Sequence, residues 1–179
     1  DERYMLEFTF RRDGSSNFSP ENKWANFPSI SAGWNLTNEK FMESRPEWLT
    51  RTKIRASWGM NGNQNIGTFA YTSMMRGVAG YMLGVESLVA LAPGLVPSAY
   101  SNAGLKWEES VQTDLGVDIG LWGNALSFSL DYYDKRTNGM LMTMSLPSYI
   151  GNNRPWGNVG NMKNSGFEFD LTWKHNISD

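Results

Sequence analysis

Cysteine is absent from all 179 residues, which removes disulfide scaffolds and thiolate metal sites from consideration. Histidine occurs once, as His175; a single imidazole gives a transition-metal cluster no ligand set, and the residue reads as structural or interfacial. No stretch reaches the roughly 18–20 apolar residues that a membrane helix needs. No basic segment followed by an apolar one opens the chain, so no secretion signal is visible. Neither sign of charge dominates: 16 Lys and Arg stand against 18 Asp and Glu. That balance gives no reason to expect nucleic acid or an anionic surface as partner. Catalytic constellations are missing too. Glu108 and Glu109 are neighbours on an extended run and point to opposite faces, so they cannot work as an acid–base pair. The glycine-rich stretches "GMNGNQNIG" and "GNNRPWGNVGNMKNSG" lack the Gly-Lys-Ser/Thr of a phosphate loop. The residues point to no enzyme and no cofactor.

What the sequence has is alternation. Aromatics make up 13%, with eight Trp, and there are 18 Gly. Tyr4, Leu6, Phe8 and Phe10 share one parity with polar residues between them, and so do Ile30, Ala32, Trp34 and Leu36. Ile54, Ala56, Trp58 and Met60 repeat the pattern, followed by Val111, Leu115, Val117, Ile119 and Leu121. Leu126, Phe128, Leu130 and Tyr132 come next, and Phe167, Phe169, Leu171 and Trp173 last. Period two over this length predicts six strands, and a helix would mix the two classes. Gly123-Asn124 is a tight-turn signal. The stretch from Asn38 to Arg51 breaks the period and reads as a connector, with room for a helical turn before Pro46. From Asn61 to Leu105 the alternation fades, with strand extensions expected near Thr68–Met74 and Tyr81–Val85. Long loops at the same end are also expected at Asp13–Asn26 and Leu146–Asn161.

One apolar face can be covered by a soluble core or by lipid. Strand lengths of up to 15 residues exceed the mode of about 5–6 for soluble domains. The polar face carries Lys53, Arg55, Asp114, Asp118 and Asp131, as a water-filled or plugged interior tolerates, and these charges are expected to pair. Tyr4, Trp34, Trp107, Trp122, Tyr132 and Trp173 fall near run ends, as aromatic girdles do. Tight turns at one end and long loops at the other complete the pattern of an outer-membrane barrel. The alternative kept open is a soluble all-β glycan-binding module, secreted or at the cell surface.

The ordered stretches "RRDGSSNF", "FPSISAGW", "NEKF", "KIRASWGMNGNQNIG", "LKWEESVQTDLGVDIGLWGNALSFSLDYYDKRTNGML" and "NVGNMKNSGFEFDLTW" resemble the C-terminal barrel portion of SusC/RagA-type TonB-linked outer-membrane transporters. The resemblance covers nearly the whole chain and is weakest over Thr72–Tyr100. It implies an all-β, antiparallel, 22-stranded plugged barrel of which residues 1–179 supply about six strands. It further implies import of glycans or peptides with a SusD-like surface lipoprotein, energised by the TonB complex, in the outer membrane of a Gram-negative bacterium. The plug, the TonB-contacting segment and the signal peptide are expected outside this chain. Substrate contacts are expected from the outer loops, at Tyr149, Asn152, Asn153, Arg154 and Trp156, and at Asn63, Gln64 and Asn65. There aromatic faces can meet sugar C–H patches and polar groups can meet hydroxyls; the competing account is that these residues shape the loops.

Overall fold

Side chains that alternate apolar and polar can all be satisfied only by extended strands whose two faces meet different surroundings. The computed structural model of the chain describes residues 2–83, 90–147, 149 and 153–174. In it the expected six runs form one antiparallel sheet, in the order β1 (Tyr4–Gly14), β2 (Trp24–Asn35), β3 (Leu49–Asn63), β6 (Glu108–Leu121), β7 (Leu126–Thr143) and β8 (Trp156–Trp173). Each strand pairs with its predecessor in that order. The connector between β2 and β3 holds two short 3₁₀ turns, Leu36–Asn38 and Lys40–Met42.

Three expectations need correction. The long stretch between β3 and β6 contains its own two-stranded sheet, β4 (Met75–Leu83) paired with β5 (Ala90–Pro97). Thr68–Met74 is not a strand, and of Tyr81–Val85 only Tyr81–Leu83 falls in β4, Val85 lying outside the described residues. Alternation could not show this hairpin, because apart from Arg76 both its parities are apolar or glycine. The loop expected at Leu146–Asn161 is shorter, since β8 begins at Trp156. Its first residues pair with β7 through register shifts around Met140, which erase the period there.

The hairpin between β6 and β7 has the geometry that Gly123-Asn124 predicts. Gly123 and Asn124 both have φ of 66°, and the Ala125 N–H donates to the Trp122 carbonyl at 3.1 Å. Two successive positive φ values define the primed turns whose twist matches a hairpin. The Gly123 N–H also donates to Thr50 Oγ1 at 2.7 Å, fastening the turn to the start of β3.

One ladder row crosses the whole sheet: Leu6, Ala32, Ala56, Leu115, Tyr132 and Phe167. On β1 that row lies near the bottom of the apolar run Tyr4–Phe10; on β8 it is the top of the run Phe167–Trp173. The apolar band therefore slips about four residues over five strand-to-strand steps. At ~3.3 Å per residue and ~4.8 Å between strands, that slope is roughly 30°. A level band on strands inclined in this way is what a barrel wall needs, and the angle falls a few degrees below the usual tilt of about 35–45°. Nothing among the described residues covers it: Leu6 is 76% exposed, Phe167 75% and Trp173 77%.

The buried hydrophobic core lies elsewhere. Phe18, Phe27, Leu105 and Trp107 cluster at the long-loop end, with Met60, Tyr71, Leu141 and Trp156 packed around them. Trp107, expected in an aromatic girdle, is only 7% exposed. It precedes the first residue of β6, so the strand's parity no longer governs it. Its ring lies 5.3 Å from Phe18 and 5.5 Å from Phe27, and its indole N–H donates to the Lys23 carbonyl at 3.2 Å.

Candidate functional site

Two surfaces could meet a solute: the polar face of the sheet and the long-loop end. On the polar face, Arg55 ties three strands together. Its Nε donates to Asp118 Oδ2 at 2.9 Å, and its Nη2 donates to Asp118 Oδ1 at 2.9 Å and to Asp131 Oδ2 at 3.0 Å. Gly116 stands between Arg55 and Asp131 in the ladder. A Cβ there would lie 2.9 Å from Arg55 Nη2 and would collide with an Asp131 carboxylate oxygen. The missing side chain lets the guanidinium lie flat across β6. Ser57 Oγ donates to Asp114 Oδ2 at 3.0 Å. Arg55, Ser57, Asp114 and Asp131 border an open trough of about 450 Å³ that also includes Glu7 and Lys53. The pairing expected of Arg55, Asp118 and Asp131 is present; Lys53 sits opposite Asp118 in register.

The long-loop end is organised by side-chain amides. Asn158 Nδ2 donates to the carbonyls of Lys106 at 2.9 Å and Gly139 at 2.8 Å, and its Oδ1 accepts from the Lys106 N–H at 2.9 Å. Asn102 Nδ2 donates to the Trp156 carbonyl at 2.8 Å, and Ser19 Oγ to the Ala103 carbonyl at 2.9 Å. Neither Asn158 nor Asn102 stood out in the sequence, since asparagines are common in loops and only register shows which one bridges. Asn158→Ala removes three hydrogen bonds and leaves backbone groups unpaired, at about 1–3 kcal/mol for each one buried. Limited proteolysis of the folded protein should then cut near Lys106 much faster than in the wild type; an unchanged rate would count against this bridge.

The expected contact residues divide. Asn63 shapes its loop, donating from Nδ2 to Glu108 Oε1 at 3.2 Å and accepting from the Asn65 N–H at 3.0 Å. Trp156 packs against the loop core. Asn153 forms an isolated bridge with Ala99. Tyr149, at 87% exposure, and the side chains of Gln64, Asn65 and Arg154 are exposed. Asn152 and His175 lie outside the described residues.

At the tight-turn end, Tyr4 and Trp34 stack with ring centroids 6.2 Å apart. Both are anchored on Glu39 Oε1, at 2.5 Å from the Tyr4 hydroxyl and 3.0 Å from the Trp34 indole N–H. These two donors, Tyr4 first, hold the Glu39 carboxyl below its ordinary value of 4.5. A lowered carboxyl pKa contributes stability fully present above the unfolded value and lost as pH falls through the folded one. The stability gap between wild type and Glu39→Gln should therefore be open at pH 7 and narrow as pH falls below the ordinary value of 4.5 and through the lowered folded one. Urea titrations at several pH values check this, and a gap independent of pH would contradict it.

The comparisons with known proteins agree with this geometry. The family described as TonB dependent receptor-like, beta-barrel, matches residues 1–178. This chain belongs to that family. It is 39% identical over 169 residues to TonB-dependent receptor P3 of Formosa agariphila, covering 94% of this chain and 16% of the relative. It is 34% identical over 179 residues to TonB-dependent receptor SusC of Bacteroides thetaiotaomicron, covering 96% of this chain and 17% of the relative. Its fold superposes on a chain of the RagAB peptide importer in the closed-closed state with a TM-score of 0.84 and 29% identity, over 99% of this chain and 19% of that one. The chain thus spans less than a fifth of these relatives' length. As a TonB-dependent receptor barrel segment, the sheet is all-β and antiparallel, with Arg55, Asp118 and Asp131 together on its polar face.

Proposed function

We propose that this wall belongs to a TonB-dependent outer-membrane transporter of SusC/RagA type, importing an oligosaccharide or a peptide. The observation that carries the reading is the oblique, uncovered apolar band, which suits a tilted wall in lipid. A soluble glycan-binding module would leave Leu6, Phe8, Phe167, Phe169 and Trp173 in water, an aggregation liability. The relatives named SusC and RagAB support the transport class. In this reading the plug, the TonB-contacting segment and the signal peptide lie outside residues 1–179, and the barrel counts 22 strands. A SusD-like surface lipoprotein covers the long-loop end, where the exposed Tyr149, Arg154 and Gln64 offer a ring, a guanidinium and an amide to the solute. The test is uptake of labelled oligosaccharides and oligopeptides by cells with and without the full-length gene, each with and without a proton uncoupler. The reading expects uncoupler-sensitive uptake of one class that disappears with the gene. Unchanged uptake of both, or recovery of the protein outside the outer membrane, would overturn it.

A further inference from the structure

The outward face does not end with the apolar band. Beyond Tyr132 and Phe167 the same parity continues with Asp134 and Ser165, then with Arg136 and Lys163, which face each other across the ladder. Asp134 Oδ1 accepts from Arg136 Nε at 2.8 Å, and Oδ2 accepts from Lys163 Nζ at 2.9 Å. The carboxylate side chain is 16% exposed, whereas the cations are 61% and 56% exposed. One acid thus backs two bases and leaves the trio with an excess positive charge. On β1 the first outward residue past Phe10 is Arg12, its guanidinium 5.3 Å from the Trp24 ring, with Lys23 5.7 Å from the same ring. Outward carboxylates at this end, among the described residues, are Asp134 and Glu109, the latter paired with Asn138. The opposite end of the band carries Tyr4, Trp34, Trp122 and Trp173 with Glu39. The chain's near-zero net charge conceals this asymmetry.

We propose that Arg136 and Lys163, positioned by Asp134, bind the phosphate of a lipid headgroup whose acyl chains lie along Tyr132, Phe167 and Leu115. The site rests on the barrel reading. Arg136 and Lys163 stand four residues of strand, ~13 Å, beyond Tyr132 and Phe167, at the outer edge of the headgroup layer around the ~30 Å hydrocarbon core. Asp134, two residues nearer the band, draws both cations back toward it. Cations at that depth meet headgroup phosphates, and basic pockets on membrane proteins bind them. A guanidinium offers paired donors that match phosphate oxygens, and the lysine adds a point charge. Arg136 spends its Nε on Asp134; among the described residues no hydrogen bond is made by its two terminal amino groups, which remain for a ligand.

The experiment uses the full-length transporter in detergent, with retained lipid measured by native mass spectrometry. The probes are bisphosphorylated lipid A, its dephosphorylated form, and inorganic phosphate as competitor. The wild type should retain the phosphorylated lipid about tenfold better than the dephosphorylated one, and millimolar inorganic phosphate should not displace it. Arg136→Gln/Lys163→Gln should lose that preference, while Lys135→Gln, on the opposite face, should keep it. Equal retention of both lipids by the wild type, an unchanged double variant, or displacement by inorganic phosphate would each overturn the proposal, the last by revealing a solution anion site. Heat-modifiable gel migration reports separately whether the barrel has folded. A wild type lacking it would sink the barrel reading itself, and for a double variant lacking it the two-lipid comparison on the wild type decides.

Discussion

Val117→Arg should destabilise the folded protein in a bilayer by about 2–4 kcal/mol, while Ser129→Arg, one ladder row away on the other face, should cost under about 1 kcal/mol. Val117 sits mid-band on β6 between Leu115 and Ile119, in the row of Ile54, Leu130 and Phe169. An arginine there must carry its charge into hydrocarbon or distort the wall to reach water. Ser129 lies between Asp118 and Asp170 in its row, so a new guanidinium gains carboxylate neighbours on the lumen side. Asp118 itself is a poor control because it holds Arg55 with two oxygens; replacing it would break the tie between β3, β6 and β7. Folding titrations into lipid vesicles read both variants. Equal costs would mean that the two faces meet the same surroundings, and the wall assignment would fail.

Trp107→Ala should cost about 3–5 kcal/mol, the range for emptying a buried aromatic site, and the loss should stay local. The indole is the ring against which Phe18 and Phe27 pack, and it also satisfies the Lys23 carbonyl. Of these partners only Phe27 belongs to a wall strand, β2, where it pairs with Arg11 at the loop end, so the loops form a unit that can open while the wall persists. Hydrogen exchange should accelerate in residues 15–23 and 102–107, with protection of β6 and β7 retained and gel migration unchanged. Uniform loss of protection would show that loop core and wall melt as one; unchanged loop protection would show that Trp107 contributes little.

Much of the wall was legible because alternation acts on every residue of a strand at once. Ile54, Val117, Leu130 and Phe169 share a face by parity alone, and Gly123-Asn124 can hardly be anything but a primed turn. Legibility failed where parity stops. Trp107 lies one residue before β6, and the chain tucks it under the loops. Apart from Arg76 the β4–β5 sequences are apolar or glycine in both parities, and the first residues of β8 include Gly157 and Gly160, the latter opposite the register shift at Met140. Sharing a face also does not identify partners. Lys53, Arg55, Asp114, Asp118 and Asp131 were readable as one charged surface. That Arg55 takes Asp118 and Asp131 depends on Gly116 lying between them, a fact of register. The loop residues fared worst, because an exposed asparagine that shapes a turn looks the same in sequence as one that waits for a ligand. Asn63 proves to be of the first kind.

The measurement that bears most directly on the account is a spin-label accessibility scan along β7, from Leu126 to Arg136, in the full-length protein in lipid bilayers. Residues 1–179 contain no cysteine, so no native thiol of this segment competes with the label on β7. Even positions from Leu126 to Tyr132 should collide with oxygen dissolved in the bilayer and be shielded from a water-soluble nickel chelate. Positions 134 and 136 should reverse that preference, marking where hydrocarbon ends. Odd positions should show little oxygen throughout. Even and odd positions with equal oxygen accessibility, or even positions open to the chelate along the whole strand, would contradict a lipid-facing wall.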